Sequence, residues 1–162
     1  MTVSTPWRRL PAPARAIAQA TADAVAAARA RDDEELDAAA ARLAGCDQAQ
    51  VGVVLGEAVR LLIERLHPDG LSGEDVQAVF EQCARDALAW TDLDVDTLVT
   101  VLVGALGVHE PGDTPRKPDP KLLDRHAILL LAHLLAGAGE PLEPYLTAAF
   151  AEVFRSETEE MP

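Results

Sequence analysis

The chain has 162 residues and a formal net charge of −13 at pH 7, and 49% of its residues are hydrophobic but only 4% aromatic. This length fits one domain, and its core must be built mainly from aliphatic side chains. The charge is uneven, because residues 1–31 sum to +4 and residues 32–162 sum to −17. Such an acidic body repels phosphate backbones, so the composition argues against nucleic-acid binding.

The N-terminal part of the chain predicts three helices after a short lead-in. Residues 1–11 have no hydrophobic periodicity, and we interpret them as a flexible lead-in to a single helical domain over residues 12–158. The first helix ends near Arg31 and has a shallow stripe, so we expect it to dock weakly or against a partner subunit. Four acids at 32–35 begin the second helix, where carboxylates oppose the helix dipole. A third helix over 48–66 is apolar on a broad face, which predicts burial.

Two further helices follow a turn at residues 68–70. Ser72 has the chemistry of a helix N-cap, and the fourth helix that it begins is regularly amphipathic as far as Trp90. The fifth element, over 96–107, contains the β-branched run 98–103, which also suits a strand. We predict a buried helix, because the sequence offers no second strand with which this run could pair.

The stretch 121–138 is the most hydrophobic part of the chain and leaves almost no face to meet water. It therefore predicts a central helix, which is followed by a last helix over 141–157 and an acidic tail over 159–162. The sequence thus predicts an all-α fold. We expect a compact bundle of about seven helices, with buried central helices near 48–66, 96–107 and 121–138.

Neither an apolar leader nor a membrane-length apolar run is visible, so we expect neither export nor membrane insertion. Cys46 and Cys83 have no CxxC spacing and fit isolated thiols in a reducing compartment. These features predict a cytoplasmic protein. The absence of Asn and the preference for Arg over Lys indicate a bacterial source with a GC-rich genome.

Two histidines and a tryptophan are the candidate ligand-binding residues. His133 interrupts the sixth helix, and His126 lies on the same face about 10.5 Å before it, too far away to share one metal ion. We expect His133 to make a core hydrogen bond. The alternative is a pocket among the third, fifth and sixth helices, in which His133 or Trp90 is the polar contact. We expect His126 to be partly exposed beside Asp124 and Arg125.

Motifs for other chemistry are incomplete. The His-Pro-Asp at 67–69 resembles the signature of J-domain co-chaperones, but the basic helix that precedes it in that family is missing, so we interpret it as a turn. Asp92, Asp94 and Asp96 alternate as in an EF-hand loop that lacks its Gly and its final Glu, so helix capping explains them better. We expect no metal and no cofactor.

No catalytic motif is recognisable, which favours a non-enzymatic role; an enzyme would have to use His126, His133 and Glu57 in one cleft. The first hypothesis is therefore a module for protein–protein interaction or self-association, with a protein partner or a second copy. The alternative is a helical bundle that binds a small apolar ligand near His133, with His126 and Trp90 as further contacts.

Overall fold

The structure is a computed structural model that describes residues 7–107 and 119–160. The described residues form seven α-helices and no strand, which confirms the predicted all-α bundle. The run 98–103 is helical, as predicted. The helices are α1 (Ala12–Arg29), α2 (Asp33–Ala44), α3 (Gln48–Leu66), α4 (Gly73–Leu88), α5 (Val95–Ala105), α6 (Pro120–Ala138) and α7 (Glu143–Glu160).

Helix α6 is the centre of the bundle. It contacts each of the helices α1 to α5, while α7 packs against α3. Nearly every residue between Asp124 and Leu135 is buried, and Leu130 and Leu131 are completely inaccessible to solvent. The predicted central position of this helix follows from its composition, because a helix that is apolar on all sides must be covered on all sides.

The helix ends follow from local chemistry. The side chains of Asp32, Asp47, Ser72 and Asp94 each accept a hydrogen bond from a backbone N–H in the first turn of the following helix. Helix α6 ends at Gly139, whose φ of 65° is in the left-handed region that glycine adopts without steric cost. These caps fix where the connections between helices begin and end.

Helix α1 is more deeply buried than its sequence predicts. Nine of its 18 residues are buried, and it packs against α2 and α6. The stripe looked shallow because it consists mostly of alanines, yet small side chains allow close helix contact and become fully inaccessible. The bundle itself covers this stripe, so the stripe does not face a partner subunit.

Helix α5 is less buried than predicted. Only Thr97, Leu98 and Leu102 are buried, while 50% of the surface of Val95 and 41% of that of Val99 remain exposed. The helix contacts α6 along one side and α3 and α4 more sparsely. An apolar helix thus keeps part of its valine surface in water.

The proposed division into a lead-in, a domain and a tail stays a prediction, although two observations bear on its edges. Trp7 is 5% exposed and belongs to the hydrophobic core cluster, against which Leu10 also packs. At the other end, α7 continues to Glu160, within the expected tail. Residues 108–118, between α5 and α6, lie outside the described residues.

Candidate functional site

His126 is a structural residue rather than a partly exposed one. It is 0% exposed, and its Nε2 accepts a hydrogen bond of 2.9 Å from the backbone N–H of Asp94. Its Nδ1 lies 2.8 Å from the carbonyl oxygen of Leu122, to which it donates. Both ring nitrogens are used, so the neutral tautomer is fixed, and burial lowers the pKa of His126 further. The residue connects α6 to the beginning of α5, and it lines neither of the clefts beside His133.

Arg125, the neighbour of His126, is also buried, at 8% exposure. Its guanidinium donates to Asp33 Oδ1 at 2.8 Å, to the carbonyl oxygen of Asp92 at 3.0 Å and to the hydroxyl of Thr91. It therefore ties α6 to the first turn of α2 and to the connection between α4 and α5. Arg125 also lowers the pKa of Asp33, after the larger effect of the Thr91 hydrogen bond.

Asp124 completes a run of three buried polar residues. It is 4% exposed, and its Oδ2 has no hydrogen-bond partner among the described residues. Burial raises the pKa of its carboxyl to about 6, because the charged form is poorly solvated. The sequence analysis named Asp124 and Arg125 only as neighbours of a partly exposed His126 and did not predict their burial. The signal that it missed is their position directly beside a stretch that is apolar on every side.

The side chain of His133 is neither fully buried in the core nor fully exposed to solvent. Its side chain is 18% exposed, and its Nδ1 donates to Asp86 Oδ2 on α4 over 2.8 Å. This pair lies between two clefts, one on each side, and both residues line both clefts. The predicted ligand-binding position of His133 is thus next to open space, although the helices around it differ from those predicted.

The first cleft lies between the C-terminal end of α1, α4 and α6 and has a volume of about 290 Å³. It brings together two of the three predicted residues, Trp90 and His133. Most of its lining residues are small or aliphatic, and Arg29 and Arg31 also line it. The prediction of walls from the third, fifth and sixth helices is wrong for this cleft, because α4 rather than α5 lies beside His133.

The second cleft, of about 520 Å³, lies where α3, α4 and α6 meet. His67, at the C-terminal end of α3, faces it together with Asp75 and Gln82. Its lining is as polar as it is apolar, and it holds no cluster of ligands for a metal. Among residues 7–107 and 119–160, no three His, Cys, Asp or Glu side chains converge on one point where an ion could bind.

The three residues that the sequence offered for a catalytic site do not meet in one cleft. His126 is enclosed by its two backbone partners, His133 pairs with Asp86, and Glu57 pairs with Arg60 on α3. Cys83 lines the first cleft, but burial raises the pKa of its thiol to about 12, so the nucleophilic thiolate is not populated at neutral pH. The described geometry therefore offers no activated nucleophile in this cleft.

A third feature, which we call the α4–α5 groove, was not singled out from the sequence. It has a volume of about 240 Å³ and lies between the two helices. Its lining is mainly apolar and comes from Val76 and Phe80 on α4 and Val99, Leu102 and Val103 on α5. The amphipathic pattern of α4 assigned Phe80 to the core, but the side chain is only partly buried.

No protein-family model matches this chain, and neither does any curated protein or any solved structure. Among the described helices, none combines the length and the apolar character needed to cross a membrane. Functional inference therefore depends on the geometry of the clefts and of the groove.

Proposed function

We propose that this protein is a non-enzymatic interaction module, and that its α4–α5 groove binds an amphipathic helical segment of another protein. The observation that carries this proposal is the incomplete cover of α5. The helix consists largely of valine and leucine, yet Val95 and Val99 stay 50% and 41% exposed. Contiguous exposed apolar surface on a soluble domain is characteristic of interaction sites. Helix-in-groove binding uses such surfaces.

Charge defines the kind of partner. The exposed acids Glu74 and Glu81 lie on α4 beside residues that line the groove, and Glu81 accepts a hydrogen bond from Gln77. Asp96 is exposed one turn before Val99 on α5. An apolar floor between acidic edges is complementary to a helix with an apolar ridge and lysines or arginines on its flanks. We therefore assign a basic amphipathic partner.

A second copy of this chain fits the groove less well. A symmetric pair would place the same acidic edges opposite each other, and like charges across an interface are destabilising. The strongly negative body adds repulsion at longer range. A different, basic partner meets neither penalty.

The test uses two synthetic helical peptides with the same leucine ridge, one flanked by lysines and one by glutamates. Fluorescence anisotropy should show binding of the lysine peptide alone, weakened by added salt. Val99→Ser should reduce its affinity about tenfold, which corresponds to a loss of about 1.4 kcal/mol. Val53→Ser is the matched control, because Val53 is a similarly exposed valine on α3, outside the groove.

Several outcomes would contradict the proposal. Equal binding of both peptides, or equal effects of the two valine variants, would remove the groove as the binding site. Dimers that are seen by light scattering and abolished by Val99→Ser would instead make a second copy the occupant. A cytoplasmic location is part of the same proposal, and the free thiols of Cys46 and Cys83 support it.

A further inference from the structure

We infer that the first cleft, between α1, α4 and α6, is a binding site for a small amphiphilic acid, a molecule with an apolar body and one carboxylate. This site is separate from the α4–α5 groove and does not depend on the proposed function. Its volume of about 290 Å³ suits a ligand of this kind, since small-molecule pockets begin near 300 Å³.

The lining of the cleft matches both parts of such a molecule. Leu129 and Ala132 on α6 and Ala87 on α4 give an apolar floor, and Trp90 adds an aromatic surface for stacking. The charged lining consists of two arginines and one aspartate, Asp86, whose Oδ2 already accepts from His133. In a chain with a net charge of −13, a cleft with more cationic than anionic side chains is a local exception.

Arg31 supplies a second, independent observation. Its φ is 57°, the only positive value among the described residues other than glycine. It stands just after α1, where Arg31 N–H donates to Ala28 and Asp32 N–H donates to Ala27, the hydrogen-bond pattern that usually has glycine at this position. Gly139 occupies the equivalent position after α6. Backbone geometry therefore favours glycine at 31, and the arginine is present at a conformational cost.

Arg31 lines the cleft, and its side chain forms no ion pair with any residue in the described part of the chain. This is notable because four acidic residues follow it directly in the sequence. A guanidinium can bind a carboxylate through two parallel hydrogen bonds, and these are among the stronger interactions available in proteins. We assign Arg31 as the residue that binds the carboxylate. Arg29 donates to the carbonyl of Glu140 and adds positive charge nearby.

The experiment compares 4-phenylbutyrate with 4-phenylbutan-1-ol, which share an apolar body and differ in the charged group. Isothermal titration calorimetry should show at least about tenfold tighter binding of the acid. Arg31→Gln should lower the affinity for the acid about tenfold and leave that for the alcohol unchanged. Arg85→Gln is the matched control, because Arg85 is an exposed arginine on α4 that does not line the cleft.

Arg31→Gly separates binding from folding. It should raise the melting temperature by about 2–4 °C, because it relieves the left-handed backbone, while it weakens binding of the acid. Equal affinities for acid and alcohol, equal effects of Arg31→Gln and Arg85→Gln, or no binding of millimolar 4-phenylbutyrate would each overturn the inference. Val99→Ser should leave acid binding unchanged, so failure here is distinguishable from failure of the α4–α5 groove.

Discussion

Helices α5 and α6 are both strongly apolar in sequence, yet they differ in how much of their surface is buried. Helix α6 is surrounded by five other helices, and its leucines between Leu129 and Leu135 are buried. Helix α5 lies at the edge of the bundle and buries only three residues. Hydrophobic composition therefore indicates that a helix needs cover, but it does not indicate whether its own chain supplies that cover.

The polar residues of the two helices show the same contrast. At the beginning of α6, Arg125 and His126 are buried and make hydrogen bonds to distant parts of the chain. On α5, Asp96 stays in water beside exposed valines. Buried polar groups with satisfied hydrogen bonds specify one arrangement of the helices, whereas an exposed apolar face leaves a position open for another molecule.

The largest effect is expected at the centre of α6. Leu130→Ala removes a side chain that is 0% exposed and should lower the free energy of unfolding by about 2–5 kcal/mol, through lost burial and the cavity that remains. Urea denaturation followed by circular dichroism measures this change. A loss below about 1 kcal/mol would mean that α6 is not the closely packed centre, and the contrast with α5 would disappear.

The next effect concerns the contact between α6 and α5. His126→Leu keeps most of the side-chain volume but leaves the N–H of Asp94 without its acceptor, and should cost about 2 kcal/mol at pH 8. Because burial lowers the pKa of His126 below its usual 6.5, the folded state resists protonation. The native protein therefore loses stability as the pH falls below 6.5, and the difference in free energy of unfolding between it and His126→Leu should become smaller. A difference that grows on acidification would contradict the structural role of His126.

The buried carboxyl of Asp124 should give the opposite pH dependence, with stability falling as the pH rises. Burial raises the pKa of its carboxyl from an ordinary 3.8 to about 6, so the folded state binds the proton more tightly, and the free energy of unfolding falls as the pH rises from 4 to 6. The stability of Asp124→Asn relative to the native protein should therefore rise by about 2–3 kcal/mol between pH 4 and pH 8, because a shift of one pKa unit corresponds to about 1.4 kcal/mol. The buried amide also needs partners, which lowers the stability of the variant by a similar amount at both pH values. Asp69→Asn, at an exposed turn, is the matched control.

Much of the fold could be predicted because it depends on local patterns. The capping residue Ser72 and the stop at Gly139 are encoded within a few residues, and so is the helical state of α5, given the absence of a partner strand. The extent to which α1 is buried could not be predicted from its alanines. Their burial depends on how closely α2 and α6 approach α1, and the sequence of one helix does not determine that distance.

The candidate site could be predicted only in part. Trp90 and His133 do line one cleft, but the position of α4 beside α6 was not visible in either helix alone. His126 was misplaced because its partners are the carbonyl of Leu122 and the N–H of Asp94, 32 residues away. Backbone groups are present at every residue, so they leave no mark in the sequence. Arg31 was missed for a related reason, since its left-handed backbone is a property of the fold.

The smallest effect on folding is expected at Val99, on the exposed side of α5. Val99→Ser changes a side chain that is 41% exposed, so it should alter the free energy of unfolding by less than about 0.5 kcal/mol, against several for Leu130→Ala. Urea denaturation at two protein concentrations measures both the size of the effect and any contribution from association. A small, concentration-independent change means that water covers this face of α5 in the isolated protein. A loss as large as that at Leu130 would show that the face is already covered, and the groove would not be free for a partner.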